Sequence, residues 1–229
     1  MEYVFAPLIP SLSVAGSPLR FPLRRVWCIG RNYADHVKEM GHAALPEAPV
    51  IFAKPADAVV ADGGTIVFPC ATGDLHHEVE LVVAIGRDGF RIAPEAALEH
   101  VFGYAVGIDL TRRDLQAAAK AKANPWEVGK SFDRSAPVGT IRPVADCGHP
   151  ARGTISLRVN GGLRQNGDLA QMIWPVPALI AQLSQLFELH AGDLIFTGTP
   201  AGVAAVRPGD SLDAAIEGVG SLQLKFAAA

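Results

Sequence analysis

The segment GDLHHEVELVVAIG, Gly73 to Gly86, sets the strictest condition on the fold. Val79, Leu81, Val82, Val83, Ala84 and Ile85 make a near-continuous apolar run, the pattern of a buried strand. Two glutamates, Glu78 and Glu80, stand at its head, directly after His76 and His77. Side chains alternate along a strand, so positions two apart share a face. The two carboxylates therefore lie side by side. Burying such a pair without a partner costs several kcal/mol or drives their pKa upward. A fold that contains this strand has to bring a cation to it.

Taken alone, Glu-x-Glu also fits a strand edge with solvated acids. The alternative is a hard-metal site, because carboxylate oxygens suit Mg²⁺, Mn²⁺ or Ca²⁺. Such a site wants a third oxygen ligand. Asp109 qualifies, as the lone acid ending the apolar strand GYAVGIDL; it is equally placed to cap the helix that follows. A zinc-protease helix is excluded, because the second histidine of His-Glu-x-x-His would fall at Leu81. A phosphate-binding Walker loop at GKSFD is excluded too, because Asn124 stands where its first glycine is required.

Lys130, in a loop with Trp126 and Phe132, is either a surface lysine or one aimed into a site. His36 and Glu39 lie three apart in the helical pattern NYADHVKEM and so share a face. A carboxylate beside an imidazole orients it and raises its basicity, the arrangement of a general base; a solvated helix face has the same spacing. Arg113 and Gln116 repeat that spacing after Asp109, facing either an anionic substrate or water.

Around these residues the chain alternates many short strand patterns with few helical ones. TRRDLQAAAKAKA reads as a helix, with Thr111 and Asp114 spaced like a capping box, and PVPALIAQLSQLFEL as an amphipathic helix. TISLRVNGGLRQ reads as a hairpin about Asn160-Gly161. This mixture favours an α+β fold with a mixed β-roll over a βαβ array. The 229 residues suffice for one catalytic domain over 24–229, preceded by an extended arm over 1–23 rich in Pro, Ser and Gly. Hydrophobic residues are 49% against 19% charged, so the chain is globular, and its formal charge of −3 argues against nucleic acid. Three scattered cysteines, no transmembrane run and no basic region ahead of the first apolar residues fit a cytoplasmic protein.

The ordered blocks GRNYADHVKEMG, PVIFAKP, HHEVELVVAIG, GYAVGIDLTRRDLQ, PWEVGKSFDRSAPVG, VNGGLRQNGDLAQMIW and GDLIFTGTPAGVAAVRPGD together resemble the fumarylacetoacetate hydrolase family, from about Val26 onward. Within it they are similar to the short acylpyruvate and fumarylpyruvate hydrolases, the arm and RFPLRRVWCIG to bacterial fumarylpyruvate hydrolases of gentisate breakdown. The resemblance implies a β-roll homodimer in which Glu78, Glu80 and Asp109 hold Mg²⁺, or Mn²⁺ or Ca²⁺. It implies that His36 and Glu39 activate water, that Lys130 is catalytic, and that Lys54 lies near the metal. Arg113, Gln116, Gly198 and Thr199 match substrate-contact positions. The implied reaction is cleavage of fumarylpyruvate, a 2,4-diketo acid, to fumarate and pyruvate. A general acylpyruvate hydrolase, an oxaloacetate decarboxylase, an isomerase of unsaturated diketo acids and a non-catalytic metal-binding scaffold remain alternatives. The fumaryl carboxylate needs its own cation, for which the matched motifs offer Arg31, Lys54, Arg113 and Arg164.

Overall fold

The structure is a computed structural model that describes residues 3–41 and 47–228. β1 (Ser11–Ser13) and β2 (Arg20–Pro22) pair as a hairpin. β3 (Val26–Gly30) leads into α1 (Ala34–Glu39), followed by β4 (Val50–Lys54), β5 (Val59–Ala61) and β6 (Gly64–Ile66). β7 (Leu75–His77) and β8 (Val79–Ile85) are separated by one residue, Glu78. β9 (Val101–Ile108) stops at Asp109, and β10 (Thr111–Arg112) enters α2 (Arg113–Ala121) and the short α3 (Glu127–Lys130). β11 (Ala136–Val138), β12 (Arg142–Pro143) and α4 (Val144–Cys147) precede the hairpin of β13 (Thr154–Val159) and β14 (Gly162–Asp168). Then come α5 (Val176–Leu186), β15 (Leu194–Phe196), β16 (Ala204–Val206), β17 (Ser211–Ile216) and β18 (Gly220–Phe226).

The main sheet runs β4-β3-β15-β8-β9-β11-β5, with β12 attached to β9. A second sheet runs β14-β13-β17-β18-β6, and a short one runs β10-β7-β16. Most pairs are antiparallel, while β3 with β15, β5 with β11 and β6 with β18 are parallel. This mixed, curled sheet with few helices is the expected α+β β-roll. β8 is buried along its whole length because it separates two cores. Val79, Leu81, Val83 and Ile85 face a larger cluster shared with the second sheet and α5. Val82 and Ala84 face a smaller one built with Phe196, Cys28 and the N-terminal hairpin. Each fully buried aliphatic side chain here contributes about 1.5–3 kcal/mol. Gly107 permits the close packing of β8, β9 and β15, since a Cβ there would lie 2.5 Å from Val82 Cγ2 and 2.7 Å from Phe196 Cε1.

Within the N-terminal arm, Leu12, Val14, Phe21 and Leu23 are buried in the smaller core. The Asn160-Gly161 turn forms as expected, both residues having positive φ. The capping box at Thr111 does not form. The N-cap is Arg112 and carries no side-chain cap; the Thr111 hydroxyl is taken by Lys130 and the Asp114 carboxylate by Thr72 and Gly73. Among the described residues no helix is long and apolar enough to cross a membrane. Cys28, Cys70 and Cys147 are all free thiols.

Candidate active site

The single-residue break between β7 and β8 leaves Glu78 between the two strands, and Glu80 follows inside β8. β9 is hydrogen-bonded to β8 antiparallel and ends beside this point, so its terminal acid, Asp109, meets both glutamates. The three carboxylates are buried, and one oxygen from each lies within 4.8 Å of the others. The helix that follows is capped at Arg112, so Asp109 is not its N-cap. Glu78 and Glu80 point into one space, as expected, although Glu78 lies in the break before β8.

Two buried lysines close the cluster. Lys130, on α3, places Nζ 2.8 Å from Glu78 Oε2, 2.6 Å from Asp109 Oδ2 and 2.7 Å from Thr111 Oγ1. Lys54 Nζ lies 2.9 Å from Asp109 Oδ1 and donates to the carbonyls of Leu110 and Lys130. Arg113 donates to Glu78 Oε1 at 2.5 Å and to Gln116 Oε1 at 2.8 Å. Burial opposes the charge on Lys130, yet Asp109 and Glu78 outweigh it and hold its pKa above the ordinary lysine value. Burial likewise opposes ionisation of Glu78, but Lys130 and Arg113 pull its pKa well below the carboxylate range.

Glu80 receives less help, and the pull of Lys130 on it is outweighed. Its one hydrogen bond comes from the Gly198 N–H, 2.7 Å from Oε2, and no cation reaches it among the described residues. Burial and then the charges of Asp109 and Glu78 push its pKa well up. Asp109 Oδ1 also lacks a hydrogen-bond donor there, since Lys54 meets it as an ion pair without hydrogen-bond geometry. Buried carboxylate oxygens with unfilled lone pairs, spaced to share one ligand, fit a hard divalent ion at about 2.0–2.6 Å from each. Glu78, Glu80 and Asp109 are the residues that would hold it.

His36 and Glu39 stand beside this cluster on α1. Their Nδ1–Oε2 distance is 3.2 Å, and the Gly202 N–H donates to both oxygens of Glu39 at 3.0 and 3.2 Å. An ionised carboxylate only accepts, so Nδ1 carries the proton and Nε2 is the basic nitrogen. Asn32 fixes the start of this segment, donating to the Thr197 and Trp174 carbonyls and accepting from Trp174 N–H. Residues 42–46, in which the segment continues, lie outside the described residues.

The TGTP turn after β15 supplies the opposite wall. Gly198 has φ +97°, and a Cβ there would lie 2.7 Å from Asn32 Cβ. The Thr199 hydroxyl donates to Val79 O at 2.8 Å and accepts from Gln165 Nε2 at 2.7 Å. Its proton is thus committed to the backbone, and only the second lone pair and the main chain remain for substrate. Gln165 is fully buried and was absent from the sequence-derived site. It also accepts from Val79 N–H and His77 Nδ1 and donates to Pro200 O.

All the sequence-derived site residues except Glu39, Lys54 and Gly198 line one cleft, and those three hold groups that do. The cleft also contains Arg31, Phe52, Lys120 and Trp126. Lys120 carried a readable signal: it lies at i+4 from Gln116 and i+7 from Arg113, on the same face of α2. Its Nζ lies 4.8 Å from the centre of the Trp126 ring.

Buried carboxylates spaced for one hard cation, beside a histidine–carboxylate pair, suit acid–base chemistry. The model of the fumarylacetoacetate hydrolase C-terminal family matches residues 25–227, and the chain belongs to that family. The fumarylpyruvate hydrolase of Pseudomonas aeruginosa, solved in complex with Mn²⁺ and pyruvate, is 49% identical, with a TM-score of 0.97 and 100% of both chains covered. The mitochondrial oxaloacetate tautomerase of Rattus norvegicus is 44% identical over 89% of this chain and 95% of its own length. The oxaloacetate tautomerase of Escherichia coli is 43% identical over 89% and 93%.

Proposed function

We propose that this protein is a divalent-cation-dependent hydrolase of 2,4-diketo acids that converts fumarylpyruvate and water to fumarate and pyruvate. The observation that carries the assignment is the His36–Glu39 pair beside the carboxylate cluster, because hydrolysis needs a base for water and Nε2 of His36 supplies one. The full-length match to the Mn²⁺- and pyruvate-containing fumarylpyruvate hydrolase supports it.

Glu78, Glu80 and Asp109 would hold the ion, which would supply Lewis acidity to the pyruvate end of the substrate. His36 Nε2 takes a proton from water, and Glu39 stabilises the imidazolium that forms. The new hydroxide adds to C4. The C3–C4 bond then breaks, its electron pair passes to the pyruvate unit as enolate, and protonation at C3 completes pyruvate. The acyl carbon leaves as the fumarate carboxyl group. Lys130, held protonated, provides positive charge beside the enolate oxygen as it develops. Gln116 and the Thr199 main chain hold the pyruvate end in register.

The tautomerase relatives favour a second function, interconversion of the enol and keto forms of oxaloacetate. That reaction moves a proton between C3 and the C2 oxygen and needs no attacking water. Decarboxylation of oxaloacetate also needs none. The variant His36→Ala tests the hydrolytic reading. Hydrolysis of acylpyruvates should fall by about two to four orders of magnitude, with Mn²⁺ binding nearly intact. Full hydrolysis in this variant would remove the pair from the mechanism. Absence of turnover on all these acids in the wild type would leave a metal-binding scaffold.

From the family resemblance we also propose a homodimer, and from the acidic cluster and the Mn²⁺-containing neighbour the use of Mg²⁺ or Mn²⁺; light scattering together with metal analysis of purified protein tests both points.

A further inference from the structure

The cleft holds more positive charge than its acids use. Lys54 and Lys130 are answered by Asp109 and Glu78, and Arg113 by Glu78. Arg31 and Lys120 line the same cleft and have no carboxylate partner among the described residues. Three carboxylates against Lys54, Lys130 and Arg113 leave the base of the cleft neutral. A divalent ion there adds two positive charges, Arg31 and Lys120 add two more, and Glu39 offsets one. The loaded cleft therefore suits a dianion better than a monoanion.

The backbone that carries Arg31 and the side chain of Lys120 are both constrained. Arg31 sits at φ +62°, a left-handed conformation that costs a non-glycine residue about 1 kcal/mol, and the next residue, Asn32, is fully buried in the hydrogen bonds described above. Lys120 rests on the Trp126 ring, which confines its ammonium while leaving its donors free. Desolvation, followed by the charges of Arg113, Arg31 and Lys130, lowers the pKa of Lys120 to about 8, as expected for a cation set among cations. The other candidates for a distal anion fall away. Lys54 is fully buried behind Asp109, Arg113 is bound to Glu78, and Arg164 is exposed on β14 and does not line the cleft.

We propose that Arg31 and Lys120 bind the second carboxylate of a dicarboxylic diketo acid, the one at the far end of its acyl chain, and so set the preference for fumarylpyruvate-type over acetylpyruvate-type substrates. This assignment rests on the diketo-acid reading of the cleft and adds to it the residues that read the acyl end. The metal-bound end of the substrate is common to both acids, so the two cations act on the difference between them.

The test compares Arg31→Met, Lys120→Met and the double variant with wild type, all loaded with Mn²⁺. For fumarylpyruvate, each single change should lower kcat/KM by about tenfold or more, chiefly through KM, the scale of one lost charge-assisted contact. The loss on acetylpyruvate should be several times smaller, and Lys120→Arg should retain most of the preference. Parallel losses on the two acids would overturn the proposal. A binding measurement covers the case in which neither acid is cleaved. In a His36→Ala background, calorimetry should show tighter binding of fumarylpyruvate than of acetylpyruvate, and the gap should close on adding Lys120→Met. A persistent gap there would overturn the role of Lys120. No C–C cleavage by the wild type, with the affinity gap and its loss intact, would overturn the hydrolase assignment and leave the two-cation site standing.

Discussion

Glu80 shows the conflict that this site is built on. Its carboxylate is buried next to two others and receives one hydrogen bond, from Gly198. Neutralising it removes repulsion from the cation-free protein and removes a ligand from the loaded one. Glu80→Gln should therefore melt at or above the wild-type temperature without divalent ions. Wild type at about 100 times the Kd for Mn²⁺ should gain about 2.7 kcal/mol, or roughly 5–10 °C in a chain of this size. The variant should gain almost none. A thermal shift with Mn²⁺ equal to that of wild type would contradict the ligand assignment. Lys120 carries the opposite sign of the same tension. Its folded pKa, about 8, lies below its value of 10.5 in a free chain. Below pH 8 the ammonium is charged in both states and its penalty stands in full. Between pH 8 and 10.5 the folded state loses the proton first, so the penalty fades as pH rises. The residue is half exposed, so the effect is screened. Lys120→Met should raise Tm at pH 7 by about 1–2 °C, the response to roughly half a kcal/mol, and the gain should shrink above pH 8. A lower Tm in the variant would show that Lys120 is there for stability.

At the level of elements, the site is an intersection of chain breaks: the gap between β7 and β8, the end of β9, the start of α2 and the turn after β15. Gln165 on β14 ties two of these together, through Val79 N–H on one side and Thr199 and Pro200 on the other. Gln165→Leu would leave several buried polar groups unpaired, at about 1–3 kcal/mol each. Denaturant unfolding should show a loss of about 2–4 kcal/mol with metal affinity reduced; a loss under 1 kcal/mol would mean the network relaxes around the gap. Such ties explain what was and was not legible in the sequence. β8, β9, α1, α5 and the Asn160 hairpin could be read, because each rests on a local pattern of apolar spacing or turn chemistry. The partners of Gln165 could not, since it lies 88 residues from His77 and no local pattern marks the pairing. The capping box failed because tertiary partners took both side chains. Trp126 and Lys130 were noticed as a loop, because α3 is a single turn too short to show periodicity.

At the scale of the whole molecule, the site lies at the head of β8, a strand buried between two apolar cores. The three acids are buried at the head of that strand, and His36 reaches the same cleft from α1, paired with Glu39. The family and its β-roll follow from the order of the sequence blocks, whereas the acyl group of the substrate depends on cleft geometry that no single block encodes. The relatives divide at that point, between a fumarylpyruvate hydrolase and oxaloacetate tautomerases. The most direct measurement is product analysis of purified protein with fumarylpyruvate, with and without Mn²⁺. Fumarate and pyruvate should appear in equal amounts only when the ion is present. Undiminished fumarylpyruvate, alongside rapid enol–keto exchange of oxaloacetate in the same preparation, would contradict hydrolysis and assign the site to proton transfer alone.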